Sequence, residues 1–169
     1  MIAKQKNSPI LVPVDFSSHS EMALVSAAEL AGKLGTGLII LHVVHDPGDA
    51  PGYYSVKGRD KQLRRMEDVA AEMLDDFFRK MQKEHPGLSA LKDATTMLVV
   101  GLPVNRILES AEKVDARMIV MASQGRTGLA HILLGSKAEQ IVRLAPLPVM
   151  IVKDRKDGKD GKNGKKQKS

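Results

Sequence analysis

The residues of this chain whose types and spacing could do chemistry lie around a glycine loop. From Met118 an apolar run rich in branched side chains stops at a loop holding Gly125 and Gly128, and the loop ends at Gly135-Ser136, just before a helical pattern. Glycines let backbone N–H groups approach an anion with no Cβ in the way. The free N–H groups and dipole of the next helix's first turn favour negative charge there. This is the make-up of a phosphate cradle. It is not a Walker-type loop, because no Gly is followed at the required spacing by Gly-Lys-Ser or Gly-Lys-Thr, and Gly135-Ser136-Lys137 has the wrong order.

A second candidate, Asp15, stands at the end of the first apolar run. Its carboxylate could cap the helix that follows or accept hydrogen bonds from a ligand, and spacing alone does not separate the two. Ser136 could likewise cap the helix it opens while that helix's other donors meet a phosphate. Arg126 and His131, inside the loop, could meet phosphate oxygens. His42, within an apolar strand, reads most simply as a satisfied core or strand-end histidine. With His19, His45 and His85 it shows no metal-ligand spacing, and no Ser-His-Asp set is visible.

The elements that must position these residues follow from periodicity. Ile10 to Val14 reads as a first strand carrying Asp15 at its carboxyl end, and Ser18 with Glu21 reads as a capping box. Ala23, Ala27, Leu30, Ala31 and Leu34 recur at helical spacing, and Gly35 is a natural stop. Leu38 to Val44 is nearly all apolar, as a central parallel strand should be. From Asp46 to Gly58 runs a long connection of the kind that often covers a ligand. Met66, Val69, Ala70, Met73, Phe77 and Met81 line one face of a long helix ending near His85-Pro86-Gly87.

Met97 to Val100, with the threonines before it, is a third strand. Pro103 opens a third helix with Val104, Ile107, Leu108, Ala111 and Val114 on one face, and Met118 to Met121 is the fourth strand. Ser136 and Glu139 read as a second capping box, with Ala138, Ile141, Val142 and Ala145 facing inward; Val149 to Val152 is the last strand. Five strands alternating with four helices give an open, doubly wound parallel α/β sheet with helices on both faces. Its ligand crevice lies beyond the carboxyl ends of the strands at a topological switch point. A strand order 3-2-1-4-5 makes strands one and four neighbours and brings Asp15 to the glycine loop.

Composition narrows the class. With 43% apolar and 27% charged residues the chain reads as an ordinary globular domain, residues 1–152, and the absence of cysteine excludes disulfides and thiolate chemistry and suits the cytoplasm. No apolar run is long enough to span a bilayer. Of the formal charge of +6, residues 153–169 hold most, with eight Lys or Arg against three Asp. That tail has no apolar residue and is expected to be disordered, and nucleic acid is not the expected partner of the domain.

Ile-Leu-Val-Pro-Val-Asp-Phe-Ser at 10–17, Leu-His-Val at 41–43, Gly-Leu-Pro at 101–103, the glycine loop, and Ala-Pro-Leu-Pro-Val at 145–149 together resemble the universal stress protein family, over Ile10 to Val152. The family's ATP-binding members carry Gly, two residues, Gly, nine residues, then Gly and Ser or Thr. Gly125 and Gly135-Ser136 fit that pattern, and the family's first Gly is Ala122 here.

The resemblance implies a five-stranded adenine nucleotide alpha hydrolase-like sheet and a homodimer through the last strand. It also implies ATP as ligand, with Mg²⁺ as its companion ion. In that reading the backbone of Val43 reads adenine, Asp15 bonds the ribose, and Pro13 and Val14 floor the pocket. Met121, Ala122 and Ser123 belong to the same pocket, and Gly125, Arg126, Gly135, Ser136 and Lys137 surround the phosphates.

The expected role is a dimeric, nucleotide-dependent switch or sensor in stress response with an unknown protein partner. Hydrolysis should be slow or absent, because no obvious base or water-positioning residue lies in the loop apart from Gln124. The alternative is a nucleotide-free interaction module, with Ala122 as the mark of loss; an adenylate-transferring enzyme on a related sheet ranks last.

Overall fold

The computed structural model describes residues 8–45, 66–125 and 134–153. The connection from Asp46 to Gly58, the loop residues Arg126, Gly128 and His131, and the Lys-rich tail lie outside them. Elements follow in the order β1 (Ile10–Pro13), α1 (Ser18–Leu34), β2 (Leu38–Val44), α2 (Met66–Glu84), α3 (Ser89–Lys92), β3 (Thr95–Val100), α4 (Pro103–Lys113), β4 (Met118–Ala122), α5 (Ser136–Leu144) and β5 (Val149–Val152). The strands form one sheet in the order β3-β2-β1-β4-β5, and every neighbouring pair is parallel. That is the predicted order. The short α3 is an addition, since four residues are too few to show a period.

Alternation along the strands sorts the apolar side chains into two cores. Ile10, Val12, Ile40 and Val120 pack with Leu24, Ala27, Ala28 and Ala31 of α1 and Leu74, Phe77 and Met81 of α2 on one face. Leu11, Leu41, Ile119 and Met121 pack with Ile107 and Ala111 of α4 and Ala138 and Ile141 of α5 on the other. Alanine fills most of the buried positions of α1, at Ala23, Ala27, Ala28 and Ala31, beside Leu24. Val142, predicted to face inward, does not, being 46% exposed, and Leu34, the last of the helically spaced residues of α1, is 43% exposed. Leu34 is the last residue of α1, and Val142 lies at the margin of the α5 stripe whose buried residues are Ala138 and Ile141.

The helix ends correct both predicted capping boxes. In α1 the cap is Ser17, not Ser18: its backbone is extended and its hydroxyl accepts from Ser20 N–H at 3.2 Å. Glu21 then lies too far along to close a box and instead pairs with Lys80 of α2. In α5 the capping position belongs to Gly135, with φ −68° and ψ 149°, and Ser136 is the first helical residue. Gly35, at φ 59°, ends α1 in the left-handed conformation, as predicted, and its N–H reaches the carbonyls of Ala31 and Gly32. Pro103 opens α4 at a first-turn position, where its missing N–H removes no helical bond.

Candidate functional site

The carboxyl ends of β1 and β4 lie side by side, and the two loops that leave them meet. After Pro13, Val14 still donates its N–H to Leu41 O at 2.8 Å, and the chain then turns sharply through Asp15 and Phe16 into α1. Asp15 Oδ1 accepts from Ser17 Oγ at 2.6 Å and from Ser17 N–H at 3.2 Å, an Asx turn that fixes the carboxylate's orientation. Its other oxygen faces the glycine loop. A Cβ built on Gly125 would stand 2.8 Å from Asp15 Oδ2, nearer than such contacts are found. Both readings of Asp15 therefore have a place: one oxygen organises the start of α1 and the other lies at the loop.

The glycine loop is closed at its neck. Gly135 N–H donates to Ser123 O at 2.7 Å, and Ser123 N–H donates to Val152 O at 2.9 Å, so the loop leaves and re-enters the fold at one point beside β5. A Cβ on Gly135 would press on Ser123 O at 3.3 Å and approach Gln124 Cα at 3.8 Å. The glycine thus lets the amino end of α5 come down on the strand's end. Because the capping residue is a glycine, α5 has no capping side chain, and Ser136 and Lys137 are exposed in its first turn.

Ala122 is the last residue of β4, paired with Val152 and 9% exposed; Met121 and Ser123 on either side are also buried. Pro13 is half-buried and Val14 buried at the end of β1.

Val43 lies two residues beyond Leu41, which with Pro13 makes the last register pair of β1 and β2. Leu41 O is turned to β1 and Val44 O is turned to β3, where it accepts from Gly101 N–H. Alternation therefore turns the backbone N–H and C=O of Val43 to the β1 side, past the end of that ladder. The structure thus brings Pro13, Val14, Asp15, Val43, Ala122, Ser123, Gly125 and Gly135 to one end of the sheet, with Ser136 and Lys137 at the helix that follows. Arg126 lies outside the described residues. Among the described residues, no group of three His, Asp or Glu side chains could hold a metal ion, and no helix is long and apolar enough to cross a membrane.

His42 is the satisfied strand-end histidine its sequence context suggested, and what sequence reasoning missed is its partnership with Phe16. His42 is buried on β2 with its Nδ1 2.8 Å from Val14 O. A carbonyl can only accept, so Nδ1 carries the hydrogen. The ring of Phe16 stacks on the imidazole with centroids 4.2 Å apart and 26° between planes, and Phe77 of α2 tilts against Phe16 at 5.4 Å. Phe16 adopts φ 63°, a conformation costing a bulky residue about 1–2 kcal/mol. The signal that could have found it is the pairing of an aromatic residue directly after Asp15 with a histidine on the neighbouring strand.

Comparison with known proteins gives a consistent result. The model of the universal stress protein family matches residues 6–153. Two universal stress proteins of Methanocaldococcus jannaschii are 34% and 30% identical to this chain, each over 85% of it and over 81% and 93% of their own lengths. Among solved structures, the universal stress protein UspA from Lactobacillus plantarum superposes with a TM-score of 0.65 at 25% identity, covering 88% of this chain and 99% of the other. The universal stress protein from Archaeoglobus fulgidus in complex with dAMP superposes with a TM-score of 0.60 at 26% identity, covering 87% and 98%. The sheet is thus the adenine nucleotide alpha hydrolase-like one.

Proposed function

Because this chain belongs to the universal stress protein family, we propose that it binds an adenine nucleotide, ATP, where β1 and β4 end, and acts as a dimeric switch or sensor whose partner affinity changes with occupancy. The observation that carries the reading is the meeting of Asp15 with Gly125 beside the closed neck at Gly135. A carboxylate accepts only, so Asp15 suits ribose hydroxyls and not phosphate oxygens. The first-turn N–H groups of α5, with a glycine in the capping position, suit phosphate. The N–H and C=O of Val43, turned together past the end of β1, make a donor and acceptor pair of the kind the edge of adenine requires.

Mg²⁺ would ride on the phosphates, held by them and by water more than by a protein cage. The role is binding, with turnover slow or absent, in the cytoplasm. The relative from Archaeoglobus fulgidus in complex with dAMP lends the adenine part of the reading its support.

The dimer would form through β5. It is an edge strand, and Ile119 N–H to Pro148 O and Ser123 N–H to Val152 O turn the even-numbered backbone groups to β4. Those of Val149 and Ile151 therefore face outward, and Met150 of the same strand is exposed. An apolar edge of this kind is one that pairing across a twofold axis would cover.

Heat-denaturing the purified protein and analysing the supernatant tests the nucleotide, with calorimetry of added ATP and GTP beside it. Adenine nucleotide in the supernatant, or ATP heat without GTP heat, is the expected result. Neither nucleotide nor heat at millimolar ATP overturns it in favour of a nucleotide-free interaction module. The observation favouring that second reading is Ala122, whose Cβ is buried where the family's ATP-binding members carry glycine.

A further inference from the structure

We infer that His42 and Phe16 form a positioning pair that sets Asp15 against the glycine loop, so that nucleotide affinity depends on two residues behind the binding surface. The inference rests on the nucleotide reading above and adds to it the device that holds its ribose-side carboxylate.

Two independent contacts carry it. His42 Nδ1 donates to Val14 O at 2.8 Å, and that carbonyl is where the β1–β2 ladder would place its next rung after Val14 N–H to Leu41 O. A side chain has replaced a backbone partner at the point where the strand must stop and turn. Phe16, directly after Asp15, is held at φ 63° with its ring stacked on the same imidazole and backed by Phe77. A bulky residue keeps a left-handed backbone only where its surroundings over-determine it. Here the ring contact does so, and Asp15 is left between two fixed points, Val14 O before it and the Phe16 ring after it. The Asx turn to Ser17 and the contact with Gly125 follow from that placement.

Hydrogen bond and stack can be separated by substitution. His42→Phe keeps a ring and loses the donor, whereas His42→Asn places an amide N–H close to where Nδ1 stood and loses the ring. Phe16→Gly removes the stack while accepting the backbone angle without penalty, and Phe16→Tyr retains the stack. Each full-length variant is assayed by calorimetry with ATP, by thermal unfolding, and, without nucleotide, by hydrogen–deuterium exchange at Ser17 N–H.

The expected result is that His42→Phe and Phe16→Gly weaken ATP about tenfold and speed Ser17 exchange about tenfold, on the scale of one net hydrogen bond. Phe16→Tyr recovers most of both, and His42→Asn, which restores the donor but not the ring, recovers part. Wild-type affinity and exchange in His42→Phe overturn the inference. So does equal loss in all four variants in step with thermal stability, because a merely structural role predicts no rescue. If the wild-type protein itself binds no ATP, the nucleotide reading falls. The exchange arm still decides, since rescue of Ser17 protection upholds the positioning of Asp15 and its absence overturns it.

Discussion

Asp15 and Gly125 are neighbours across the β1–β4 boundary, with the carboxylate Oδ2 2.8 Å from the point a Cβ on the glycine would occupy. Gly125 is not among the residues with positive φ. Its glycine identity is therefore a matter of room and not of backbone angle. The same holds for Gly135, whose φ is −68° and whose missing Cβ clears Ser123 O.

Gly125→Val should weaken ATP by tenfold or more, about 1.4 kcal/mol, because its side chain must displace a carboxylate pinned by Ser17. Gly125 is exposed, so the melting temperature should move little. Calorimetry and thermal unfolding on one preparation check both halves, and unchanged affinity counts against the site.

Ala122→Gly should act in the opposite direction. Removing a buried Cβ at the end of β4 should tighten ATP by roughly three- to tenfold if it crowds the ligand, while costing the fold roughly 0.5–1 kcal/mol in strand entropy. Weaker binding would refute the idea that Ala122 limits affinity.

Ser17→Ala should lower stability by about 1 kcal/mol through loss of the α1 cap, and also loosen Asp15, whose Oδ1 takes the Ser17 hydroxyl. Ser18→Ala, one residue on and exposed, should be close to neutral. Denaturant midpoints of the two variants distinguish the true cap from its neighbour.

Glu21→Gln gives a prediction in pH. The hydrogen bond from Lys80 Nζ to Glu21 raises the ammonium's pKa above its usual 10.5, with burial opposing. A base whose pKa is higher in the folded state stabilises fully below its unfolded pKa and loses that contribution as pH climbs through the folded value. The difference in melting temperature between wild type and Glu21→Gln should be small, as for other exposed pairs, and steady from about pH 7 to 10. It should shrink above the usual lysine value, and a difference that grows there would contradict the sign.

Met150→Asp should yield monomer by sedimentation, because like charges would face each other across the β5 edge. A species that stays dimeric places the subunit contact elsewhere.

Much of this architecture is legible in the residues, and the exceptions have local causes. Apolar runs alternating with helical stripes make the doubly wound sheet legible, whereas the order that brings Asp15 to Gly125 agrees with what the family resemblance implies and is not fixed by periodicity. The caps slipped by one residue because the Ser-x-x-Glu spacing from Ser18 to Glu21 fits the rule, while the actual start of α1 is decided by the Asx turn from Asp15 to Ser17. Val142 sits on an apolar stripe yet faces outward, since periodicity gives a face but not its width. The His42–Phe16 contact is hidden because it joins a strand interior to a left-handed residue on another loop, and neither residue type announces that meeting.

The ladder between β1 and β4 has two register pairs, Ile10 with Met118 and Leu11 with Ile119, whereas β2 and β3 share six. The middle of the sheet is thus its most lightly stitched seam, and the two loops that open beyond it belong to opposite halves of the chain. A small molecule grasped by both would act as a brace across that seam, so filling the hollow should stiffen the whole protein along the line where its strands are paired over the shortest length.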